Sequence, residues 1–246
     1  CRFDRSGCRT NMRGDFQLGS SLVEICAEVT GDVLDALSFM APDDANKPRL
    51  QSWLLAGLTD GTPTVCLHTA VRGLARTLQP RRYLEIGVRR GWSLIQVAQE
   101  CPSCEITGVD GWIANYADAP NPGPDFVREE VGRLAPSFFG ALGFVPDLRY
   151  LPVSDYDMVT VDGDHRGWAA WVDLAFGLCR VAVGGAVVFD DLLDASDDGG
   201  PFTLRGAWER AKAEFGDEFT WQEFDGIVPI GVAVRQRASQ REDRER

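Results

Sequence analysis

The pattern of hydrophobic and polar positions is helical through the first third of the chain. Apolar residues recur at spacings of three and four on both sides of Gly31, which we expect to divide them into two helices. Residues 50–58 predict a further short helix. Thr62 and Pro63 are typical of an N-cap followed by proline at the first helical position, so another helix is predicted from there to about Gln79. The sequence therefore predicts a helical region in front of the first strand.

From residue 83 onward, short strand patterns alternate with helical patterns. The predicted strands cover residues 83–86, 106–110, 148–151, 156–162, 186–189, 219–224 and 228–234. The predicted helices cover residues 92–100, 126–134, 168–181 and 202–215. Residues 111–125 contain too much proline and glycine for a regular element, and Gly184 and Gly185 are predicted to form a turn.

This alternation predicts an α/β fold with a mostly parallel, seven-stranded sheet and helices on both faces. Asp225 and Gly226 lie between the last two predicted strands, which indicates an antiparallel C-terminal hairpin. We divide the chain into a flexible tail (1–18), a helical N-terminal extension (19–62), an α/β domain (63–235) and a charged tail (236–246).

Composition and charge narrow the classes of function. The net charge of −12 and the pI near 4.6 argue against a general affinity for nucleic acid or anionic membranes, which needs clustered Lys and Arg. No apolar run reaches transmembrane length, and the first residues lack the apolar core of a signal peptide. We therefore expect a cytoplasmic protein. The seven cysteines are scattered and odd in number, which argues against a disulfide framework.

A glycine turn follows the first predicted strand. Glu85 ends that strand, and Gly87 and Gly91 bracket the turn into the next helix. The spacing fits neither the dinucleotide fingerprint nor a P-loop. In an open α/β sheet this turn lies at the carboxyl end of the strand, where ligands bind. A carboxylate at the position of Glu85 is suited to bind an ammonium group or a ribose hydroxyl. Asp110, which ends the second strand, is suited to bind a ribose diol.

A second group of polar residues follows two later strands. Asp162 and His165 come directly after one, and Asp190 and Asp191 after the next. Because parallel strands end on one edge of the sheet, we expect these side chains to converge beside the glycine turn. Oxygen donors without cysteine suit a hard cation such as Mg²⁺. The other histidine, His68, falls within a predicted helix and is expected to be a structural or surface residue.

The glycine turn and Asp110 resemble the cofactor-binding motifs of class I S-adenosylmethionine-dependent methyltransferases. The resemblance covers roughly residues 65 to 235 and implies the Rossmann-like fold of that class, so that residues 63–235 form the methyltransferase domain. It also implies S-adenosylmethionine as the cofactor. The residues implied to bind it are Glu85, Gly87, Gly91, Ser93, Asp110, Gly111 and Trp112.

The segments Val-Asp-Gly-Asp-His at 161–165 and Val-Phe-Asp-Asp at 188–191 resemble metal-dependent O-methyltransferases that modify sugar hydroxyls, with relatives among cephalosporin-hydroxylase-like proteins. The resemblance implies that Asp162, Asp190 and Asp191 bind Mg²⁺ or Mn²⁺. It implies His165 as the general base, with Asp162 as the next candidate for that role. Asp164 is expected to support the turn or to orient a neighbour.

The expected function is therefore metal-dependent methyl transfer from S-adenosylmethionine to a hydroxyl of a sugar or glycosylated small molecule, in natural-product or polysaccharide tailoring. Two alternatives stay open: a catechol-type phenol O-methyltransferase, and a non-catalytic cofactor-binding or assembly protein. The second is motivated by the short segment 151–155, which we expect to run almost directly from the third strand into the fourth. The expected partners are a small-molecule or saccharide acceptor and further copies in a homo-oligomer, with neither nucleic acid nor membrane.

Overall fold

The computed structural model describes residues 18–40, 46–116, 119–195 and 202–236, and strands and helices alternate through most of them. The helices are α1 (Leu18–Phe39), α2 (Asn46–Asp60), α3 (Leu67–Leu78), α4 (Trp92–Glu100), α5 (Pro124–Leu134), α6 (Gly167–Arg180) and α7 (Leu204–Phe215). The strands are β1 (Arg82–Ile86), β2 (Glu105–Val109), β3 (Asn115–Tyr116), β4 (Ala119–Pro120), β5 (Leu142–Val145), β6 (Tyr156–Val161), β7 (Val181–Phe189), β8 (Phe219–Phe224) and β9 (Ile230–Arg235).

A seven-stranded sheet in the order β5-β2-β1-β6-β7-β9-β8 forms the centre of the protein. The first five of these strands pair in parallel, whereas β9 pairs antiparallel with both β7 and β8. The predicted α/β class and the antiparallel C-terminal hairpin are confirmed. In this order β1 lies between β2 and β6, so the ends of these three strands are neighbours.

Each face of the sheet is covered by a hydrophobic core. One core contains buried residues of α1 to α5 together with one face of the sheet. The other contains α6, α7 and the opposite face. The N-terminal helices thus share a core with the sheet, and the predicted boundary at residue 62 stays a prediction. Within the described ranges, none of the helices has the length and apolar character needed to cross a membrane.

Two predictions for the N-terminal helices were wrong. Gly31 does not break the first helix, because buried Val29 and Val33 on either side of it belong to one core-facing stripe of α1. Helix α3 begins at Leu67 instead of Pro63. The Thr69 hydroxyl accepts a hydrogen bond from the Cys66 backbone N–H at 2.9 Å, which caps the helix four residues later than the Thr-Pro signal indicated.

The third strand of the sheet was also placed wrongly. Residues 148–151 do not form it; Leu148–Tyr150 is a 3₁₀ turn, capped by the Asp147 side chain. The strand is Leu142–Val145, which pairs with β2. Residues 146–155 therefore separate the third and fourth strands of the sheet, so the connection has ten residues, compared with four between the predicted strands.

Two smaller differences involve glycine-rich segments. Gly184 and Gly185 lie inside β7, opposite a register irregularity between Tyr156 and Met158, instead of forming a separate turn. The stretch 111–125 contains the two-residue strands β3 and β4, and α5 already begins at Pro124. The predicted N-terminal tail up to residue 17 and the charged tail from residue 237 lie outside the described residues.

Candidate active site

Three backbone hydrogen bonds continue the sheet pairing beyond the strand ends and align the site. Gly87 N donates to Val109 O at 2.8 Å, and Asp162 N donates to Ile86 O at 2.8 Å. Asp190 N donates to Val161 O at 3.0 Å. The first residue after each of β1, β6 and β7 is thereby fixed beside its neighbour, so the sheet itself places the glycine turn next to the carboxylates.

The glycine turn is held in a conformation that requires glycine. Gly87 has a φ of 88°, and a Cβ atom there would lie 1.8 Å from the Asp162 carbonyl oxygen. Gly91 has a φ of 72°, and its Cβ atom would approach Val127 Cγ1 at 2.6 Å. Arg89, Trp112 and Asp191 also have positive φ values and lie at this edge of the sheet. Such strain is concentrated at functional sites in proteins.

The Asp110 carboxylate organises the backbone around the turn. One oxygen accepts hydrogen bonds from the N–H groups of Val88 (3.0 Å) and Arg89 (2.7 Å). The other accepts from the Trp112 N–H at 2.6 Å and from Asn121 Nδ2 at 3.2 Å. Asp110 therefore ties the β1 turn to the segment after β2, and its side chain borders the same cavity as Gly87 and Gly111.

Glu85 lies beneath the turn and is fully buried. Its carboxyl group accepts hydrogen bonds from the Tyr83 hydroxyl at 2.5 Å and from Ser93 Oγ at 3.0 Å. Burial raises the pKa of this carboxyl group to about 8, because desolvation outweighs the two hydrogen bonds. Glu85, Gly91 and Ser93 thus support the turn from below and are not among the residues that line the cavity. Trp112 also lies off the lining and packs edge-to-face against Phe144.

The carboxylates after β6 and β7 converge with a histidine. His165 Nε2 lies 3.5 Å from an Asp162 oxygen and 3.3 Å from an Asp191 oxygen. One ligand atom from each of these three residues lies within 4.8 Å of the others, which is close enough for one metal ion. The Asp164 carboxylate instead accepts hydrogen bonds from the backbone N–H and the guanidinium of Arg166. This agrees with its expected role of supporting the turn.

Asp190 lies beside this cluster rather than within it. Burial raises the pKa of its carboxyl group well above the ordinary value, and the negative charges of Asp162 and Asp191 raise it further. Its Oδ1 atom is shielded from solvent and has no hydrogen-bond partner in the described part of the chain. A shielded acceptor among carboxylates is a position that a cation would satisfy.

These residues border one cavity of about 1150 Å³. Of the residues predicted from sequence, Gly87, Asp110, Gly111, Asp162, His165, Asp190 and Asp191 line it. The cavity also receives side chains from α2, from the segment 146–148 and from the loop between β8 and β9. The lengthened connection between the third and fourth strands of the sheet therefore contributes to the site, contrary to the expectation that it would be too short.

Comparison with known proteins agrees with this architecture. Residues 84–192 match the profile of a family described as a methyltransferase domain. The O-methyltransferase TomG from Streptomyces achromogenes, solved with S-adenosylmethionine, superposes with a TM-score of 0.53 at 17% identity, over 84% of this chain and 96% of TomG. The chain has the fold of class I methyltransferases.

Two further solved structures share the class I methyltransferase fold. An O-methyltransferase from Bacillus cereus, in complex with S-adenosylhomocysteine, has a TM-score of 0.51 at 17% identity, over 87% of this chain and 100% of that one. The methyltransferase PaMTH1 from Podospora anserina, also bound to S-adenosylhomocysteine, has a TM-score of 0.52 at 14% identity, over 91% and 97%. None of the curated proteins matches the chain.

The cavity contains residues that the sequence patterns did not single out. His68, expected to be structural or on the surface, lines the cavity from the first turn of α3, and its ring centroid is 6.1 Å from that of Trp92. Burial lowers the pKa of His68 to about 4, although the nearby Asp162 charge opposes the shift. Asp173, on α6, also lines the cavity, and burial raises its carboxyl pKa to about 7.

Proposed function

We propose that this methyltransferase transfers a methyl group from S-adenosylmethionine to a hydroxyl of a sugar or glycosylated small molecule, with a divalent cation at the acceptor end of the cavity. One observation carries the proposal. A single cavity joins the glycine turn and Asp110 to the cluster of Asp162, His165 and Asp191. A cofactor half and an acidic half therefore face each other across the end of the sheet.

The residues present fit the cofactor. Gly111 is exposed, and a Cβ atom there would meet no atom closer than 3.9 Å, so the backbone after β2 is open to a ligand. The Asp110 carboxylate, already held by backbone N–H groups, is positioned to accept hydrogen bonds from ribose hydroxyls. Typical ligand pockets measure about 300–1,000 Å³, so a cavity of about 1150 Å³ has room for both a cofactor and an acceptor. When bound, S-adenosylmethionine supplies the reactive methyl carbon.

The residues also fit a hard divalent cation. Asp162, Asp190 and Asp191 offer only oxygen ligands, which Mg²⁺ and Mn²⁺ prefer. A bound cation would relieve the mutual repulsion of the three carboxylates. It would also provide a partner for the Oδ1 atom of Asp190, which has none among the described residues. A cation at this position would stabilise negative charge that develops on an acceptor oxygen.

His165 is the proposed general base. Its ring is oriented by Asp162 and Asp191, and it lines the cavity where an acceptor hydroxyl would lie. If an alcohol is about as acidic as water, full proton transfer to a free histidine would cost about nine pH units, or ~12 kcal/mol. His165 therefore accepts the proton as the methyl group moves. The positive charge of a nearby cation lowers the free-energy cost of that proton transfer.

The remaining lining residues support an acceptor rich in hydroxyl groups. Asp147, Asp164 and Asp173 border the cavity from three different segments. Carboxylate oxygens accept hydrogen bonds from hydroxyl groups, as a sugar ring requires. The segment 146–148 that carries Asp147 is the connection whose expected shortness motivated a non-catalytic role, and its contribution to the cavity removes that motivation. The homo-oligomer and the cytoplasmic location stay predictions.

Calorimetry and product analysis test the proposal together. S-adenosylhomocysteine should bind the purified protein, and Mn²⁺ should bind with a stoichiometry of one site. Incubation with S-adenosylmethionine, Mg²⁺ and a panel of glycosides should give products heavier by one methylene group in mass spectrometry. Methylation of catechols but not of glycosides would show that the acceptor is a phenol and not a sugar. Cofactor binding without product from either panel would favour the non-catalytic alternative, and no cofactor binding would refute the proposal.

A further inference from the structure

Arg90 is a buried arginine for which the described residues provide no counter-ion. It occupies the glycine turn between Gly87 and Gly91, is only 5% exposed, and lines the cavity. Among the described residues, its guanidinium has neither a hydrogen bond nor an ion pair, and its Nε atom is sealed from solvent without a partner. The contact that it does make is with the Phe126 ring, whose centroid is 5.7 Å from Arg90 Cζ.

This arrangement is unusual because charged groups are rarely buried unless they are paired. The acidic side chains nearest in sequence cannot serve as the partner. Both oxygens of Glu85 accept hydrogen bonds from Tyr83 and Ser93. Both oxygens of Asp110 are held by backbone N–H groups and by Asn121. The protein therefore keeps a desolvated guanidinium at the cavity wall while its own neighbouring carboxylates are engaged elsewhere.

The position of Arg90 within the cavity indicates which anion would pair with it. The identity of that anion rests on the proposed function. A cofactor whose ribose lies at Asp110 after β2, and whose methyl group faces Asp162 after β6, must cross the end of β1, because β1 lies between those strands. The turn at that end carries Arg90. The remaining portion of the cofactor is an amino acid with one carboxylate, and a guanidinium fork matches a carboxylate in a bidentate pair.

We propose that the Arg90 guanidinium binds the carboxylate of the cofactor's amino-acid portion. Neither the glycine-turn pattern nor the position of the acidic residues assigned a role to this side chain. The carboxylate supplies the counter-charge that the described part of the chain does not provide at this point, and the Phe126 ring holds the guanidinium plane in place.

The test compares two ligands that differ only in the carboxylate. S-adenosylhomocysteine and its decarboxylated analogue, which keeps the amine, are titrated by calorimetry into the wild-type protein and into Arg90→Gln. The variant should bind S-adenosylhomocysteine roughly 10- to 100-fold more weakly, since a charge-assisted bidentate pair is lost. Its affinity for the decarboxylated analogue should stay within about threefold of wild type. The affinity of Arg90→Lys for S-adenosylhomocysteine should lie between those of the wild type and Arg90→Gln, because a point charge replaces the planar fork.

Arg128→Gln is the matched control. Arg128 also stacks over a phenylalanine, with Cζ 4.9 Å from the Phe144 centroid, but it pairs with Asp125 and does not line the cavity. Its substitution should change neither affinity. Equal weakening of both ligands in Arg90→Gln, or no weakening of either, would overturn the inference. If the wild-type protein failed to bind S-adenosylhomocysteine at all, the proposed function itself would fall.

A stability measurement gives an independent readout. Arg90→Met removes the unpaired charge and keeps much of the side-chain volume, so the ligand-free Tm should rise. The further increase in Tm that saturating S-adenosylhomocysteine produces should shrink relative to wild type. A lower ligand-free Tm together with an unchanged ligand-induced shift would show that Arg90 contributes packing only, and would overturn the inference.

Discussion

Gly87 and Asp162 approach so closely that a single added carbon atom would collide with the backbone. The Cβ of any other residue at position 87 would lie 1.8 Å from the Asp162 carbonyl oxygen. Asp162 N in turn donates to Ile86 O, so the glycine turn and the loop that carries the carboxylates are joined as one unit. The cofactor half and the acidic half of the cavity therefore pack directly against each other at this contact, so that a shift of one would displace the other.

Substitution of Gly87 should damage both halves. Gly87→Ala must either move the Asp162 loop or leave the left-handed conformation, and the positive φ alone costs ~1–2 kcal/mol. We expect a lower free energy of unfolding in urea, weaker S-adenosylhomocysteine binding and weaker Mn²⁺ binding. Gly132→Ala is the control, because Gly132 lies in helix α5 with no atom within 4 Å of its Cβ position. That change should stabilise by ~0.5–1 kcal/mol. A Gly87→Ala protein as stable as wild type would contradict the tight contact.

Neutralising Asp190 should have opposite effects on the stability of the ligand-free protein and on its metal binding. Asp190 is desolvated beside two like charges, so Asp190→Asn should raise the ligand-free Tm and weaken Mn²⁺ binding. Treatment with EDTA should abolish turnover, and Mg²⁺ or Mn²⁺ should restore it. The control is Asp194→Asn on the same loop, where an exposed carboxylate pairs with Arg205, 3.4 Å away. Full activity in exhaustively chelated protein would mean that the carboxylates hold no catalytic cation.

Removal of the His165 imidazole should affect turnover far more than binding. General-base catalysis contributes ~10²–10⁴-fold, so His165→Ala should lower kcat by about that factor while S-adenosylhomocysteine affinity stays near wild type. His165→Asn keeps a hydrogen-bonding group but cannot take up a proton, and should be equally slow. The cluster with Asp162 and Asp191 also permits His165 to bind the metal. A matching loss of Mn²⁺ affinity would show that His165 is a ligand and that the base is another residue.

His68 should make stability depend on pH. Its folded-state pKa of about 4 lies below the ordinary value of 6.5. Between these values the unfolded chain binds a proton that the folded protein does not. The contribution of His68 to the free energy of unfolding is therefore fully present above pH 6.5 and is lost as the pH drops towards 4, by ~3 kcal/mol. His68→Gln should lose this part of the slope in urea titrations across that range. Parallel pH profiles for the two proteins would contradict a His68 that stays neutral in the folded protein between pH 4 and 6.5.

The sequence by itself determined the elements whose signals are local. Helix α4 has the predicted bounds, since Gly91 and the apolar positions that follow it mark both the start and the buried face. The convergence of Asp162, His165 and Asp191 also followed from the sequence, because these residues follow two successive strands, and successive parallel strands end on one edge of the sheet. The mostly parallel α/β fold could thus be predicted from the alternation of strands and helices, and the resemblance of the glycine turn and Asp110 to known motifs implied the class I methyltransferase fold.

Only the tertiary structure decided which distant segments complete the site. The edge strand Leu142–Val145 is defined by its pairing with β2, and its four residues include a glycine, so they carry too weak a pattern to locate it. His68 faces the cavity because of how α3 packs. Arg90 is buried because α5 covers the turn, and no residue that the structure describes pairs with its charge. The period of the hydrophobic pattern indicates on which face of a helix or strand a residue lies. What that face meets depends on contacts between residues far apart in the chain, and those form only when the layers pack together.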